Sequence, residues 1–165
     1  MKKLTSIITL LILAVTISMG QKKIVNLPDL PGFVTLKCDF HMHTVFSDGQ
    51  VWPQNRVDEA IRDGLDAIAI TDHLEYNPKK EYIPIDHNAG WKICEQYAKE
   101  RNLILVHGTE ITRKMPPGHF NALFIKDAGL IAKDSVWDNY EEAIKQGAFL
   151  QWNHPGWKAQ EPDGI

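Results

Sequence analysis

Short apolar runs alternate with amphipathic stretches along most of the chain. The runs that predict strands are 34–39, 67–71, 103–106, 120–125 and 148–152. Between them, apolar residues at helical spacing predict three helices, which start at Pro53, before Trp91, and at a cap formed by Asp134 or Ser135. Such alternation is typical of an α/β fold with a mainly parallel sheet, either a barrel or an open sheet.

The N-terminus differs from the rest of the chain. Two lysines, Lys2 and Lys3, precede an apolar run from Leu4 to Met19, and Gly20 follows as a small residue suited to cleavage. This pattern predicts a signal peptide over 1–20 and export to the periplasm or the exterior, without a membrane span in the mature form. An uncleaved N-terminal membrane anchor is the alternative, because the uncharged run is just long enough.

The remainder is expected to be one domain. Residues 21–33 predict an extended lead-in, and 34–165 predict the folded unit. The sequence has 18 basic and 21 acidic residues without a basic stripe, so it lacks the signature of a nucleic-acid-binding protein. Cys38 and Cys94 lie on a predicted strand and helix, and either one disulfide or two free thiols fit them.

Histidines and carboxylates stand where predicted strands end or begin. His41 and His43 are two apart, so an extended strand presents both imidazoles on one face, where they could bind one transition metal or be an ordinary surface pair. Asp48 precedes Gly49, which allows a tight turn back toward them. In α/β folds such residues gather at one rim, at the carboxyl ends of the strands. The candidate metal ligands are His41, His43, Asp48, His73, Glu110, His119 and His154.

The connection between Glu110 and His119 is informative because it is short. Only nine positions separate them, and Pro116 and Pro117 lie between. A crossover helix does not fit in that gap, so we predict an antiparallel, hairpin-like connection. Glu110 and His119 would then meet at the same rim and share a metal. His87 and His107 do not follow the pattern and are expected to be loop or core histidines.

Together these motifs resemble the PHP (polymerase and histidinol phosphatase) domain family. The resemblance covers Val34 to Trp157 and implies a distorted seven-stranded β/α barrel with two or three divalent ions, zinc, manganese or iron. It implies one metal on His41, His43 and Glu110, which are also the catalytic residues. It implies a second metal on Glu110, His119 and His154, and a third on Asp48 and His73. The implied reaction is hydrolysis of a phosphate ester, in a small molecule or a nucleotide, by metal-bound hydroxide.

The sequence departs from this family in one respect. The family supplies a late Asp-x-His pair that completes the first and third sites, but Asp163 is followed by Gly164 and Ile165. About five strands are accounted for, so we expect an incomplete barrel that needs a missing C-terminal segment or a partner chain.

Several functions fit these residues. A metal-dependent phosphoesterase is favoured, and a non-catalytic metal-binding remnant or partner-binding module is the first alternative. An amidohydrolase-type metal hydrolase also begins with His-x-His, but Glu110 stands where that class often uses a carboxylated lysine. A polymerase-linked proofreading domain is disfavoured by the signal peptide. Arg113 is a candidate phosphate ligand, with Lys79 and Lys80 as weaker ones, and the alternative is solvated basic loops.

Overall fold

The computed structural model describes residues 26–157, which form five strands and four helices. The strands are β1 (Cys38–Met42), β2 (Ala67–Ile70), β3 (Ile104–Ile111), β4 (Phe120–Leu123) and β5 (Phe149–Trp152). The helices are α1 (Pro53–Asp63), α2 (Ala89–Lys99), α3 (Ala128–Ile131) and α4 (Val136–Lys145). The predicted signal peptide and Asp163 lie outside the described residues. Within 26–157, no helix has the length and apolar character needed to cross a bilayer.

The strands form one curled sheet in the order β1-β2-β3-β4-β5, a half-barrel consistent with an incomplete β/α barrel of the PHP type. β1, β2 and β3 are parallel, whereas β4 pairs antiparallel with both β3 and β5. The expected antiparallel connection after Glu110 is therefore confirmed. The expectation of a mainly parallel sheet holds for three strands only, because β4 and β5 each reverse direction.

Two strand boundaries differ from the sequence prediction. β1 begins four residues later than expected, since pairing with β2 starts at Cys38 opposite Ala67 and runs, with a bulge, to Met42 opposite Ile70. His41 therefore lies within the strand and His43 directly after it. β3 runs on past Val106 to Ile111, because its second half pairs with β4. This extension places Glu110 inside the strand.

The helices cover one face of the sheet with two apolar clusters. α1 ends at Gly64, whose φ of 80° is left-handed, and Val57 and Ala60 pack with Ile68 and Cys94 in the first cluster. The second cluster lies under α3 and α4 and consists of Leu74, Ile111, Ala122, Ile125, Ala128, Ile131 and Ala143.

Two details of the predicted packing need correction or completion. The apolar spacing of α4 predicts a buried stripe that includes Tyr140 and Ala143, which do face the sheet, and also Trp137 and Ile144, which are mostly exposed. Cys38 and Cys94 are both free thiols, the first exposed on β1 and the second on the buried face of α2.

The opposite, concave face of the sheet is apolar and only partly covered within residues 26–157. Ala69, Val106 and Leu123 form its buried floor. Phe149 pairs with Leu123 and lies on the same face, as does Ile104, two residues before Val106. Both are more than half exposed. We call these five residues the open face.

Candidate metal centre

All seven predicted ligands converge at one rim of the sheet. They line a single cavity of about 290 Å³ together with Trp157. Trp157 is the one lining residue that was not predicted to belong to the site. The predicted convergence of these side chains is thus confirmed. Their role as metal ligands stays a prediction, but the distances between their donor atoms fit a metal ion.

The centre is built around Glu110, a fully buried carboxylate on the middle strand. Its Oε2 atom lies 3.3 Å from His41 Nε2 and 3.2 Å from His43 Nε2, and the two nitrogens are 3.1 Å apart. Ligand atoms on a tetrahedral zinc with bonds of about 2.0–2.1 Å are about 3.3–3.4 Å apart. The three donor atoms therefore form a triangle close in size to one face of a metal's coordination shell.

The environment of Oε2 also fits a cation. Among residues 26–157 this buried oxygen has no hydrogen-bond partner, although a third imidazole nitrogen, His73 Nδ1, lies 3.1 Å away. Leaving a buried carboxylate oxygen without a donor costs about 1–3 kcal/mol or more. A cation shared by the carboxylate and the imidazoles would offset that cost.

The other carboxylate oxygen faces a second set of imidazoles. Oε1 lies 3.0 Å from His119 Nδ1 and 3.4 Å from His154 Nε2. The antiparallel pairing of Ile111 with Phe120 brings His119 to this position, as the short connection predicted. Glu110 thus offers one oxygen to each of two histidine pairs, an arrangement suited to a bridging ligand.

The third predicted pair is looser. Asp48 Oδ1 lies 3.6 Å from His73 Nε2 and 3.7 Å from His43 Nδ1, and the Asp48 side chain is partly exposed. His43 therefore adjoins this pair as well as the first triad, which consists of His41, His43 and Glu110. Its ring also stacks on that of His73, with 4.3 Å between the ring centroids. The groups whose donor atoms all lie within 4.8 Å of one another are His41–Glu110–His154, His43–Asp48–His73 and His73–Glu110–His119. The allocation of ligands to individual ions stays a prediction.

The protonation states suit metal binding. Burial alone would raise the pKa of Glu110, but the imidazoles of His41 and His43 outweigh it and hold that pKa well below its usual range. Burial lowers the pKa of His73 to about 4 and also lowers that of His119. Burial works against protonation of His43 too, but Glu110 raises its pKa. An ionised Glu110 beside neutral His73 and His119 suits metal binding, whereas the raised pKa of His43 means that a metal would have to displace its proton.

A buried aspartate organises the loop that carries His43 and Asp48. Asp72 accepts hydrogen bonds from the Thr44 amide and hydroxyl, both at 2.6 Å, and from the Ser47 hydroxyl at 2.7 Å. Asp72, which directly precedes His73, is not among the residues predicted from the sequence. Its place at a strand end, like that of the ligands, was the available signal.

Gly49 closes the same loop by close approach. A Cβ atom at this position would lie 2.5 Å from the carbonyl carbon of His43 and 2.6 Å from the Thr44 nitrogen. Its φ is not left-handed, so the tight-turn explanation is replaced by a steric one. Lys79 then fixes the loop from outside, since its Nζ donates to the carbonyls of Ser47 (2.9 Å) and Gly49 (2.8 Å).

Arg113 does not contact the cavity in the described structure. Its Nη2 lies 3.1 Å from Glu75 Oε1 and donates to the Lys133 carbonyl at 2.9 Å. The assignment of Arg113 to the substrate stays a prediction without a supporting contact. His107 also lies apart from the cavity, buried and stacked on Trp91 at 4.3 Å, as expected for a core histidine.

Two asparagines and a threonine adjoin the ligands without having been predicted. Asn153 donates to Glu110 Oε1 at 3.1 Å and to Asn121 Oδ1 at 2.8 Å. The Thr112 hydroxyl is hydrogen-bonded to His73 Nδ1. Asn153 directly precedes His154, and this adjacency was the only sequence signal.

Comparison with known proteins gives consistent results. The sequence profile of the PHP domain matches residues 39–126. An uncharacterised protein of Methanocaldococcus jannaschii is 37% identical over 82 residues, which cover 50% of this chain and 36% of the relative. A crystal structure from Bacteroides vulgatus, of a two-domain protein containing a predicted PHP-like metal-dependent phosphoesterase, is 53% identical with a TM-score of 0.84. That match covers 87% of this chain and 42% of the other, so the chain spans less than half of either relative.

Proposed function

The chain belongs to the PHP domain family, and we propose that it acts as a metal-dependent phosphoesterase. The observation that carries the proposal is the Glu110 carboxylate, fully buried, with His41 and His43 on one oxygen and His119 and His154 on the other. Two-metal hydrolases need such a shared arrangement, because their ions sit only about 3.5–4 Å apart.

We propose the following allocation of ligands to ions. His41, His43 and Glu110 would hold the first, and Glu110, His119 and His154 the second. A third would be held weakly by Asp48 and His73. Imidazole-rich sites favour zinc or iron, and the carboxylates also admit manganese. Bound there, the ions would supply an activated water and neutralise charge on the phosphoryl oxygens.

The residues that line the cavity limit how a substrate would be held. No lysine or arginine is among the described residues that line the cavity, so binding of the phosphoryl group falls to the metal centre. The cavity volume of about 290 Å³ suits a phosphorylated small molecule or a nucleotide. Trp157 contacts the rings of His119 and His154 edge-on and forms one wall of this space.

We also propose that further polypeptide completes the domain. The exposed side chains of Phe149 and Ile104 on the open face are apolar surface of the kind that proteins normally cover. The match covers only 42% of the Bacteroides relative. The rest of that relative is further polypeptide, which could include a segment that covers such a face. A C-terminal continuation or a partner chain would cover the open face and contribute the Asp-x-His pair of the family.

Export is the remaining proposal and concerns a region outside the described residues. We propose that residues 1–20 act as a signal peptide, because Lys2 and Lys3 precede the apolar run from Leu4 to Met19. The mature protein should then begin near Gln21. N-terminal sequencing of exported protein decides the point, and a chain that still begins with Met1 supports the membrane-anchor alternative.

The phosphoesterase proposal is tested by p-nitrophenyl phosphate turnover with manganese or zinc. We expect weak turnover by the 165-residue chain and higher turnover once an Asp-x-His segment is supplied in cis or as a partner. Glu110→Ala should abolish turnover and metal content in both forms, because one substitution removes a ligand from two ions. Glu142→Ala, which breaks a 3.5 Å ion pair with Lys145 on α4 and lies away from the cavity, is the matched control.

The outcomes separate the alternatives. Metal binding without turnover in the extended form supports the non-catalytic metal-binding module. Turnover that survives Glu110→Ala in the extended form contradicts the bridging assignment.

A further inference from the structure

Two buried asparagines connect the shared carboxylate to the backbone of β1. Asn153 Nδ2 donates to Glu110 Oε1 at 3.1 Å and to Asn121 Oδ1 at 2.8 Å, and Asn121 Nδ2 donates to the Phe40 carbonyl at 2.9 Å. Asn121 is 0% exposed and Asn153 is 2% exposed. A buried amide costs free energy unless it is hydrogen-bonded, so a pair of them in an apolar sheet requires a reason.

The direction of this chain of hydrogen bonds is fixed by its two ends. An ionised carboxylate and a backbone carbonyl can only accept hydrogen bonds, so both amides must present their NH₂ groups to them. Asn153 therefore donates twice, and its Oδ1 has no donor among residues 26–157. Asn153 is thus specialised as a donor to Glu110.

The pair touches every strand that supplies a ligand to the first two sites. Phe40 directly precedes His41 on β1, and Asn153 directly precedes His154 after β5. Asn121 is on β4, two residues after His119. The backbone N–H of Asn153 donates to the His119 carbonyl at 2.9 Å.

We infer that Asn153, supported by Asn121, is a positioning residue that holds the Glu110 carboxylate in its bridging orientation. The inference rests on the proposed metal centre. The terminal torsion of a glutamate is broad, so packing alone does not decide which oxygen faces which histidine pair. With Oε1 held by Asn153, Oε2 remains directed at His41 and His43. Loss of such a hydrogen bond behind a metal ligand lowers metal affinity by about 10–100-fold.

The experiment is a cobalt(II) titration of the whole chain, followed by visible absorption and elemental analysis. The variants are Asn153→Ala and Asn121→Ala. The matched control is Asn139→Ala, since Asn139 is equally buried but lies near Glu75 rather than a predicted ligand. Thermal unfolding of each variant reports the general cost of losing a buried amide.

We expect Asn153→Ala to weaken one or both cobalt-binding steps by about 10–100-fold and to change the cobalt spectrum. Asn121→Ala should act in the same direction, and Asn139→Ala should lower the Tm alone. Wild-type affinities and spectrum in Asn153→Ala overturn the inference. If Asn153→Ala does not fold, Asn121→Ala decides by the same criterion. A wild-type chain that binds no cobalt overturns the proposed metal centre itself, and the inference with it.

Discussion

Substitution of Gly49 by alanine tests the steric account of the loop that carries Asp48. The new Cβ would lie 2.5 Å from the carbonyl carbon and oxygen of His43 and 2.6 Å from the Thr44 nitrogen. All three are backbone atoms, so no side chain can rotate away. Lys79 holds the Gly49 carbonyl from the other side at 2.8 Å, which limits retreat in that direction.

The size of the effect follows from these distances. Ordinary contacts begin at 3.4 Å, so the loop must move by about 0.9 Å. Metal sites tolerate deviations of about 0.2 Å, and Asp48 directly precedes Gly49 in the chain. We therefore expect loss of Asp48 as a ligand. Overpacking of this kind also costs about 1–3 kcal/mol, at roughly 2–4 °C of Tm per kcal/mol in a domain of this size.

The assay combines thermal unfolding with metal content by elemental analysis. Gly156→Ala is the matched control, because a Cβ there meets nothing within 4 Å and its φ is not left-handed. The control should stay within about 0.5 kcal/mol of the wild type. Wild-type Tm and metal content in Gly49→Ala would refute the reasoning.

Two further predictions concern residues behind the site. Gly90→Ala would place a Cβ 2.7 Å from Asp72 Oδ2 and 2.9 Å from Ile70 Cγ2, so we expect a loss of about 1–3 kcal/mol in thermal unfolding. An unchanged Tm would show that Asp72 can move. Burial lowers the pKa of His107 from 6.5 to about 4, so the unfolded chain binds this proton first as the pH falls. The free energy of unfolding should therefore decrease as the pH falls from 6.5 toward 4. In urea unfolding, His107→Leu should reduce this decrease by up to ~3 kcal/mol. Equal pH dependence in both proteins would contradict it.

The sequence predicts where the candidate ligands converge better than it predicts the residues that support them. The spacing of His41 and His43, and the short gap before His119, are local signals, and strand geometry converts them into positions at the rim. Asn153 gives no such signal, because an asparagine after a strand resembles a turn residue. Its partner Asn121 is 32 positions away. Such contacts arise only from the strand register.

Other differences have similarly physical causes. Residues 34–37 have the apolar character of a strand, but β2 pairs only from Cys38 onward. Lys79 resembled a phosphate ligand because charge alone was visible, whereas its ammonium group is engaged by two carbonyls. In both cases the structure depends on which distant residues the segment contacts, and the local sequence pattern does not reveal those contacts.

Because Glu110 has a central position, metal bound to it would stabilise the whole sheet. β3 is the middle of the five described strands, with the parallel strand β2 on one side and the antiparallel strand β4 on the other. An ion on the first triad would tie β1 to β3 across β2, and one on the second would tie β3 to the end of β5 across β4. The two ions would act as transverse cross-links that reach both outer strands. Since binding to the folded state alone adds RT ln(1 + [M]/Kd) of stability, the free energy of unfolding would rise with the concentration of metal in its surroundings.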